Sequence, residues 1–408
     1  MERKWSMKIK QSGIRQIGNS FLAIIFLGGI LYIGIKVMPG QMIAIKNAVE
    51  TNTFTSEFVE NIETQLNENF PEKASFVDIN GIAHRILLQR EMNDVVLLNN
   101  GQEYMLAENR SNAEIIANVD SLEKLDEWLE NRNIKFLYCQ EPIKLGEADE
   151  QLPKGLIDNA NHVADIFVNE LNERTINNID IRECIETDGI DRYSLFLSTE
   201  HHWKPEGGFY AFQKICDYLR EQFGEDIPDY ITDINNYNVD YMGKSLGYYG
   251  QRTGIYFGGT DDFNLIYPKW ETKQSSWAPH MNLLREGNFY DAIFLMDYLQ
   301  NADGHTGLYR TYIGGDWPVV VHASETAPID KTVMVLIDSY GTITESFLTT
   351  VYKRVIALDL RWVLRNNIGK TTVEFVEDYN PDLVIVMFNP SQLGYAESEQ
   401  FQYGIPDE

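Results

Sequence analysis

Apolar and polar positions follow two alternating periods along most of this chain. Short apolar runs bounded by turn residues or charges predict strands at 134–139, 179–181, 193–197, 331–337, 354–358 and 382–388. Between them, apolar residues recur every three to four positions and predict amphipathic helices at 121–131, 159–173, 205–223, 343–353 and 372–379. Strands joined by helices favour a parallel sheet with helices on both faces.

This alternation is interrupted once and is preceded by a different kind of sequence. Residues 226–330 are rich in Tyr, Trp, Gly and Asp, which predicts an irregular, partly β insertion within one α/β domain. Asn99-Asn100-Gly101 separates two short apolar runs and predicts a hairpin, because Asn-Gly readily adopts the positive φ of a tight turn. We therefore predict a stalk and N-terminal helices at 39–92, the α/β domain at 93–395 and a C-terminal tail at 396–408.

The N-terminal segment has the pattern of a membrane anchor. No charged residue lies between Arg15 and Lys36, and residues 17–35 as a helix would extend about 28 Å, the thickness of a bilayer core. The basic flank precedes this segment, so the positive-inside rule predicts a cytoplasmic segment at 1–16, a single-pass transmembrane anchor at 17–38 and an extracellular domain. A cleaved signal peptide is the alternative, although residues 38–41 match a cleavage site poorly.

Composition and charge narrow the class of protein. A hydrophobic content of 44% in 408 residues is typical of a globular chain. Residues 37–408 carry 28 basic and 60 acidic side chains, and this net charge of −32 argues against binding to nucleic acid. Cys139, Cys184 and Cys216 lack metal-type spacing and are predicted to be free thiols. The sequence predicts no cofactor.

Two polar residues follow predicted strands where α/β proteins place their ligand crevice. Ser339 follows the strand at 331–337 and Asp338, and the helix after it would direct backbone N–H groups, such as that of Gly341, towards an oxyanion. The alternative is that Ser339 only caps this helix. Asn389 follows the strand at 382–388 and could supply an amide donor to the same edge, although Asn-Pro by itself is commonly a turn.

A carboxylate and an imidazole precede the helix at 205–223. Glu200 two positions before His202 can hold the imidazole in one tautomer, and a serine beside them would complete a hydrolase-type relay. The adjacent His201 also raises the alternative of a metal site. The other five histidines have no ligand spacing relative to this pair, so no metal is predicted.

Four motifs in this order resemble the DHHW family of exported bacterial proteins, which is similar to the alginate O-acetyltransferases of the wider SGNH-hydrolase group. They are Glu200-His201-His202-Trp203, residues 243–254 with Asp261-Asp262, Ile313-Gly314-Gly315-Asp316, and Ile337-Asp338-Ser339-Tyr340 with Asp359-Leu360-Arg361. The resemblance spans about 70–395 and implies a flavodoxin-like sheet. It also implies Ser339 as nucleophile, His202 as general base, Glu200 as orienting acid and Asn389 as an oxyanion donor.

The chain departs from the family pattern at two positions. Glu200 stands where the family usually has Asp, so its longer side chain must fold back to keep the same hydrogen bond. Ile337 precedes Asp338 where the group usually has glycine, which predicts a differently shaped turn.

The insertion is predicted to help bind substrate. Its tyrosines and tryptophans offer flat faces suited to sugar rings, or alternatively pack its own core. Arg252 is either a substrate contact or a partner of Asp261 or Asp262. The predicted substrate-binding residues are Arg252, Tyr249, Trp203, Asp316 and Arg361.

These observations predict an extracytoplasmic SGNH-like serine acyltransferase that O-acetylates or deacetylates a surface or exported polysaccharide through an acyl-serine. Acetyl-CoA is cytoplasmic, so the family resemblance implies a membrane-bound O-acyltransferase as the partner that supplies the acyl group. The alternative is a catalytically inactive glycan-binding or envelope-complex scaffold with the same fold. A distance within about 3.5 Å between Ser339 Oγ and His202 would argue against that alternative.

Overall fold

The computed structural model describes residues 73–147, 149–300, 304–395 and 398–406. The strands are β1 (Glu91–Met92), β2 (Val95–Leu97), β3 (Glu103–Tyr104), β4 (Lys135–Gln140), β5 (Asn178–Asp180), β6 (Tyr237–Ser245), β7 (Asp261–Pro268), β8 (Gln274–Ala278), β9 (Leu283–Gly287), β10 (Val319–Ser324), β11 (Ile329–Ile337), β12 (Tyr352–Leu358) and β13 (Leu383–Phe388).

The helices are α1 (Lys73–Ile86), α2 (Asn112–Glu130), α3 (Ala160–Glu173), α4 (Ile181–Thr187), α5 (Pro205–Phe223), α6 (Asp229–Thr232), α7 (Tyr248–Thr253), α8 (Ile255–Gly258), α9 (Phe289–Ile293), α10 (Asp297–Gln300), α11 (Gly341–Leu348), α12 (Leu360–Arg365) and α13 (Thr372–Tyr379).

An eight-stranded mixed sheet organises residues 78–408. Its order is β5-β4-β13-β11-β12-β10-β8-β9, in which the first five strands run parallel and the last three add antiparallel. The prediction of a parallel sheet is therefore correct for the α/β part and wrong for the sheet as a whole. The insertion contributes β8, β9 and β10, and antiparallel strands can extend a sheet with one face partly exposed to water, as the alternating burial of β8 shows.

Helices cover both faces of the parallel part, as predicted. Alternate residues of β11 point to opposite sides: Val333 and Val335 pack in a cluster with α5 and α11, whereas Met334 and Leu336 pack in a cluster with α2 and α3. A strand with both faces buried must be apolar at every position, which explains the unbroken apolar run at 333–337.

Three predicted elements differ from the structure. Helix α2 begins at Asn112 and is capped by Ser111 with Glu114 in a capping box, so the predicted start at 121 lies inside the helix. Helix α11 spans Gly341–Leu348 and is shorter than the predicted 343–353. Residues 193–197 do not form a strand. Asp191 caps a 3₁₀ turn at Arg192–Leu195, and only one isolated bridge, Phe196 to Trp203, follows.

Other predictions are confirmed closely. Helices α5 and α13 begin and end at the predicted residues. Strands β2 and β3 form the predicted hairpin with Gly101 at a φ of 87°. The cysteines are free, with Cys139 and Cys216 buried and Cys184 partly buried.

The predicted cytoplasmic segment and anchor at 1–38 lie outside the described residues. Within the ranges that the structure describes, no helix is both long and apolar enough to cross a membrane. At the other end of the chain, Phe401 and Tyr403 are buried in the same cluster as α2 and α3.

Candidate active site

The carboxyl ends of four parallel strands bring the polar residues together. Strand β4 ends before Glu141, β13 before Asn389, β11 before Asp338 and β12 before Asp359. Because these strands are parallel neighbours, their ends lie at one edge of the sheet, where open α/β sheets form their ligand crevice.

The turn that carries Ser339 is fixed by the carboxylate of Asp338. The N–H of Tyr340 donates to Oδ1 at 2.9 Å, and the N–H of Asn389 donates to Oδ2 at 2.8 Å, so Asp338 joins two neighbouring strand ends. The departure at Ile337 is accommodated by Gly341. A Cβ at position 341 would lie 2.6 Å from Ile337 Cγ2, so the isoleucine requires a glycine there.

Ser339 and His202 meet at hydrogen-bond distance. Ser339 Oγ lies 2.8 Å from His202 Nε2, although 137 positions separate the residues in the chain. Tyr309 supports both partners. Its ring stacks on His202 with centroids 3.9 Å apart and planes 10° apart, and its hydroxyl donates to Ser339 O at 2.9 Å. The serine and the imidazole are thus held by the same tyrosine side chain.

Glu200 lies beside both histidines but is closer to His201. Its Oε1 lies 2.5 Å from His201 Nδ1 and 3.5 Å from His202 Nδ1, and the latter contact is not aligned as a hydrogen bond. Its Oε2 accepts from the N–H of Tyr248 at 2.7 Å. The longer side chain of Glu200 therefore folds back to the loop. Its carboxylate interacts with the imidazole of His202 over a longer distance, by electrostatic attraction and not by an aligned hydrogen bond.

The electrostatics give each group the charge that a base and its orienting acid need at neutral pH. Burial, followed by the neighbouring His201, lowers the pKa of His202 to about 4, against the opposing effect of Glu200. Burial alone would raise the pKa of Glu200, but the charge and hydrogen bond of His201, followed by the nearby His202, bring it well below its ordinary value. A neutral imidazole next to an ionised carboxylate can accept a proton from Ser339.

Asn389 offers a free amide donor at the same edge. Its Oδ1 accepts from the N–H of Ser391 at 2.9 Å, and its buried Nδ2 has no hydrogen-bond partner in the described part of the chain. An unpartnered buried N–H₂ is unfavourable unless a ligand accepts from it. Gly341 differs, because its N–H already donates to Asp338 O at 3.2 Å. Its role as an oxyanion donor therefore stays a prediction.

Two of the predicted substrate-binding residues face the protein interior. Trp203 is 1% exposed and donates from Nε1 to Tyr340 O at 3.0 Å, so it supports the turn of the nucleophile and is not a substrate contact. This corrects the prediction, and the reason is that its position just before α5 places the ring in the core. Tyr249 is buried with its ring 5.8 Å from that of His201.

Arg252 and Arg361, which were predicted to bind substrate, form ion pairs within the protein. Arg252 pairs with Asp94 at 3.0 Å, and neither Asp261 nor Asp262 is its partner. Arg361 pairs with Asp359 at 2.6 Å and is mostly buried. Burial by itself would lower the pKa of Arg361, but its hydrogen bonds to Asp359 raise it.

Asp316 is the one of the five that combines partial exposure with proximity to the base. It is partly exposed, and its charge acts to raise the pKa of His202. It therefore remains a candidate for contact with substrate.

Sequence reasoning missed Glu141. This side chain is fully buried at the end of β4, and neither carboxylate oxygen has a hydrogen-bond partner among the described residues. Burial, followed by Asp338, raises its pKa well above the ordinary value. A signal was present, since Gln140-Glu141 follows the strand predicted at 134–139, where a polar residue must fall at the crevice edge.

The same loop groups potential metal ligands. Glu200, His201 and His202 each place a ligand atom within 4.8 Å of the others. However, His202 Nε2 contacts Ser339, and Glu200 Oε2 accepts from Tyr248. The geometry therefore uses these groups in hydrogen bonds, and the expectation that no metal binds stays a prediction.

Comparison with known protein families gives a match to part of the chain. Residues 100–241 match the family model of the SGNH hydrolase-like domain of the acetyltransferase AlgX. This range is about a third of the chain, and it contains Glu200 and His202 but not Ser339. No curated protein sequence matches the chain significantly.

Solved structures extend the likeness over most of the chain. Bacillus cereus PatB1 with a sulfonyl adduct is 18% identical, covers 76% of this chain and 99% of its own, and has a TM-score of 0.61. A DHHW family protein from Eubacterium siraeum is 16% identical, covers 74% of this chain and 91% of its own, and has a TM-score of 0.53.

The resemblance to the DHHW and SGNH hydrolase-like proteins is confirmed. The family-model match supports it in the first part of the α/β domain, and the two solved structures show that the fold is shared beyond that range. At identities of 16–18%, these structures show a shared fold and do not assign roles to individual residues. The roles of Ser339, His202 and Glu200 are therefore argued from the geometry of this chain.

Proposed function

We propose that this protein is an SGNH-like serine acyltransferase that moves an acetyl group onto or off a polysaccharide hydroxyl. The observation that carries the proposal is the 2.8 Å contact between Ser339 Oγ and His202 Nε2 at the carboxyl edge of the sheet. The description of the matching family as an acetyltransferase supports acetyl as the group.

The chemistry requires two half-reactions. Ser339 Oγ attacks the acyl carbonyl carbon while His202 Nε2 takes the serine proton, and that proton then passes to the departing oxygen of the donor. A sugar hydroxyl next attacks the acyl-serine and gives its proton to His202, which passes the proton to the departing Ser339 Oγ. Water in place of the sugar gives the deacetylation reaction. In both halves the oxyanion would accept a hydrogen bond from Asn389 Nδ2.

The insertion supports a sugar substrate. Its tyrosines divide into buried ones, such as Tyr237 and Tyr312, and exposed ones, such as Tyr241 and Tyr256. Tyr248 is about half exposed and lies edge-on to His201, with ring centroids 6.1 Å apart. An exposed aromatic ring next to His201, which neighbours the proposed base His202, suits a carbohydrate ring.

The proposal includes the cellular setting. With an anchor at 17–38 the domain would act outside the cytoplasm on a surface or exported polysaccharide, and a membrane-bound O-acyltransferase would deliver the acetyl group. The basic N-terminal flank and the uncharged segment after it support this orientation.

The test uses purified full-length protein and an activated acetyl ester. Wild-type protein should release the chromophore slowly, and mass spectrometry should find one acetyl group on Ser339. Ser339→Ala should abolish both signals, whereas Ser276→Ala, which changes a buried serine elsewhere, should retain them. Equal turnover by wild type and Ser339→Ala would remove this serine from the mechanism.

A catalytically inactive scaffold remains a second candidate. The long, unaligned contact between Glu200 and His202 favours it, because an orienting acid usually makes an aligned hydrogen bond. The short Ser339–His202 contact argues against it. Glycan binding by wild type without any acetylation of Ser339 would decide for the scaffold.

A further inference from the structure

The loop that carries Glu200 and His202 is held from behind by a buried carboxylate. Asp261, at the start of β7, is 3% exposed. It accepts from the N–H of Ser198, from the N–H of Thr199 at 2.9 Å and from Thr199 Oγ1 at 2.6 Å. This carboxylate therefore ties down the two residues that immediately precede Glu200.

Thr199 passes this restraint to a second element. Its Oγ1 accepts from the N–H of Gly247 at 2.9 Å, and its carbonyl accepts from the N–H of Gly250 at 3.0 Å. A Cβ on Gly247 would lie 2.4 Å from Glu200 Cβ, so the backbone there approaches the loop as closely as glycine allows. The next residue, Tyr248, donates its N–H to Glu200 Oε2. Thr199 thus connects Asp261 to the group that orients the Glu200 carboxylate.

A buried lysine completes the support. Lys144 is 1% exposed, and its Nζ donates to Ser198 O at 3.1 Å and to Glu103 O at 2.7 Å. Burial lowers its pKa to about 8, against the opposing charges of Asp261 and Glu103. The ammonium therefore holds the carbonyl side of Ser198 while Asp261 holds its N–H side.

We propose that Asp261, acting through Thr199, is a positioning residue that keeps Glu200 and His202 in register with Ser339. The proposal rests on the proposed function, because register matters only if Ser339 attacks. The neighbouring Asp262 gives the contrast, since it is exposed and pairs with Lys244 at 2.7 Å. The two adjacent carboxylates thus have separate environments, one supporting the site and the other facing solvent.

The expected effect follows from geometry. Without the carboxylate, two backbone N–H groups and a hydroxyl lose their acceptor, and the loop can shift. A displacement of about 1 Å between a nucleophile and its base can reduce turnover on the order of 10²-fold. Substrate binding should be less affected, because Asp261 is buried behind the loop.

The experiment measures kcat, KM and the rate of covalent labelling of Ser339 by a sulfonyl fluoride. Asp261→Asn should lower kcat and labelling by roughly 10- to 10²-fold with KM within about twofold. Asp262→Asn is the matched control and should behave as wild type. Thr199→Val should reproduce the loss, whereas Thr199→Ser, which keeps the hydroxyl, should restore most of the rate.

The outcomes separate this proposal from the proposed function. Wild-type kinetics in Asp261→Asn, or equal losses in Thr199→Ser and Thr199→Val, would overturn it. If Asp261→Asn fails to fold, the Thr199 pair decides. If wild-type Ser339 neither reacts nor is labelled, the proposed function fails. The imidazole NMR signals of His202 then report on positioning directly, and unchanged signals in Asp261→Asn would reject the inference.

Discussion

Among the described residues, serine, histidine and glutamate lie close together in two places, one at the carboxyl edge of the parallel strands and one inside the sheet. In the buried group, Ser276 Oγ lies 2.7 Å from His322 Nδ1, and His322 Nε2 lies 3.9 Å from Glu345 Oε1. All three side chains are about 1% exposed. The distances resemble those of the site at Ser339, so residue types and short contacts alone do not distinguish a catalytic group from a structural one.

The difference lies in the elements that carry the residues. Ser276 and His322 face each other across antiparallel strands β8 and β10, within the sheet. Ser339 and Asn389 instead follow parallel strands at the carboxyl edge of the sheet. Ser339 is partly exposed there, and Asn389 Nδ2 has no hydrogen-bond partner among the described residues. Catalysis needs access for the substrate and a hydrogen-bond donor for the oxyanion. The group at Ser339 offers both, whereas the group at Ser276 is buried.

The largest contrast is expected between the two histidines. His202→Gln should reduce turnover of an activated acetyl ester by on the order of 10³-fold or more, because Ser339 loses its base. His322→Gln should leave turnover within about twofold and lower the free energy of unfolding by about 1–3 kcal/mol, because it disturbs a buried hydrogen bond. Steady-state kinetics and denaturant unfolding of both variants measure this. Activity losses of similar size would contradict the assignment.

A smaller contrast is expected between the two glutamates. Glu200→Gln should lower kcat by on the order of 10²-fold or less, since its contact with His202 is long and unaligned. Burial, followed by Asp359, raises the pKa of Glu345 well above its ordinary value, and Glu345 is buried with Ser276 and His322, so its change to Gln should alter activity little. Measured kcat values test this. A Glu200→Gln enzyme with full activity would assign the acid no role.

The smallest effect concerns pH. Because burial and His201 lower the pKa of His202 to about 4, kcat/KM should remain high through pH 5 and fall only as the pH approaches 4. Glu200 opposes this lowering, so Glu200→Gln should move that acidic limb to lower pH. Circular dichroism at each pH separates titration from acid unfolding. A limb near the ordinary histidine value of about 6.5 would contradict the buried, neutral base.

The buried histidine gives the control for stability. Burial and then Arg285 lower the pKa of His322 to about 3, so the unfolded chain takes up a proton first as the pH falls below about 6.5. Its share of stability is therefore present above that pH and is lost progressively towards pH 3. His322→Gln should flatten the corresponding fall in unfolding free energy without moving the limb of kcat/KM.

Local periodicity predicted those parts of the fold in which it is strong. The unbroken apolar runs of β11 and β13 and the pattern of α5 were sufficient, because burial on both faces of a sheet leaves few alternatives. The prediction at 193–197 was wrong, since four apolar and aromatic residues around Ser194 satisfy a strand pattern whether or not a partner strand exists. In the structure, Asp191 caps a 3₁₀ turn in this segment, and Phe196 forms an isolated bridge in place of a strand.

The sequence by itself determined the candidates Ser339 and Asn389, because polar residues after apolar parallel strands must fall at the edge of the sheet. It offered Glu200 and His202 through their spacing of two positions. It could not determine which serine meets which histidine, since Ser276 and His322 were equally available in the chain. Only the tertiary structure decided that pairing, the long reach of Glu200, and the support from Tyr309 and Asp261. These contacts join residues far apart in the chain, and no local periodicity records them.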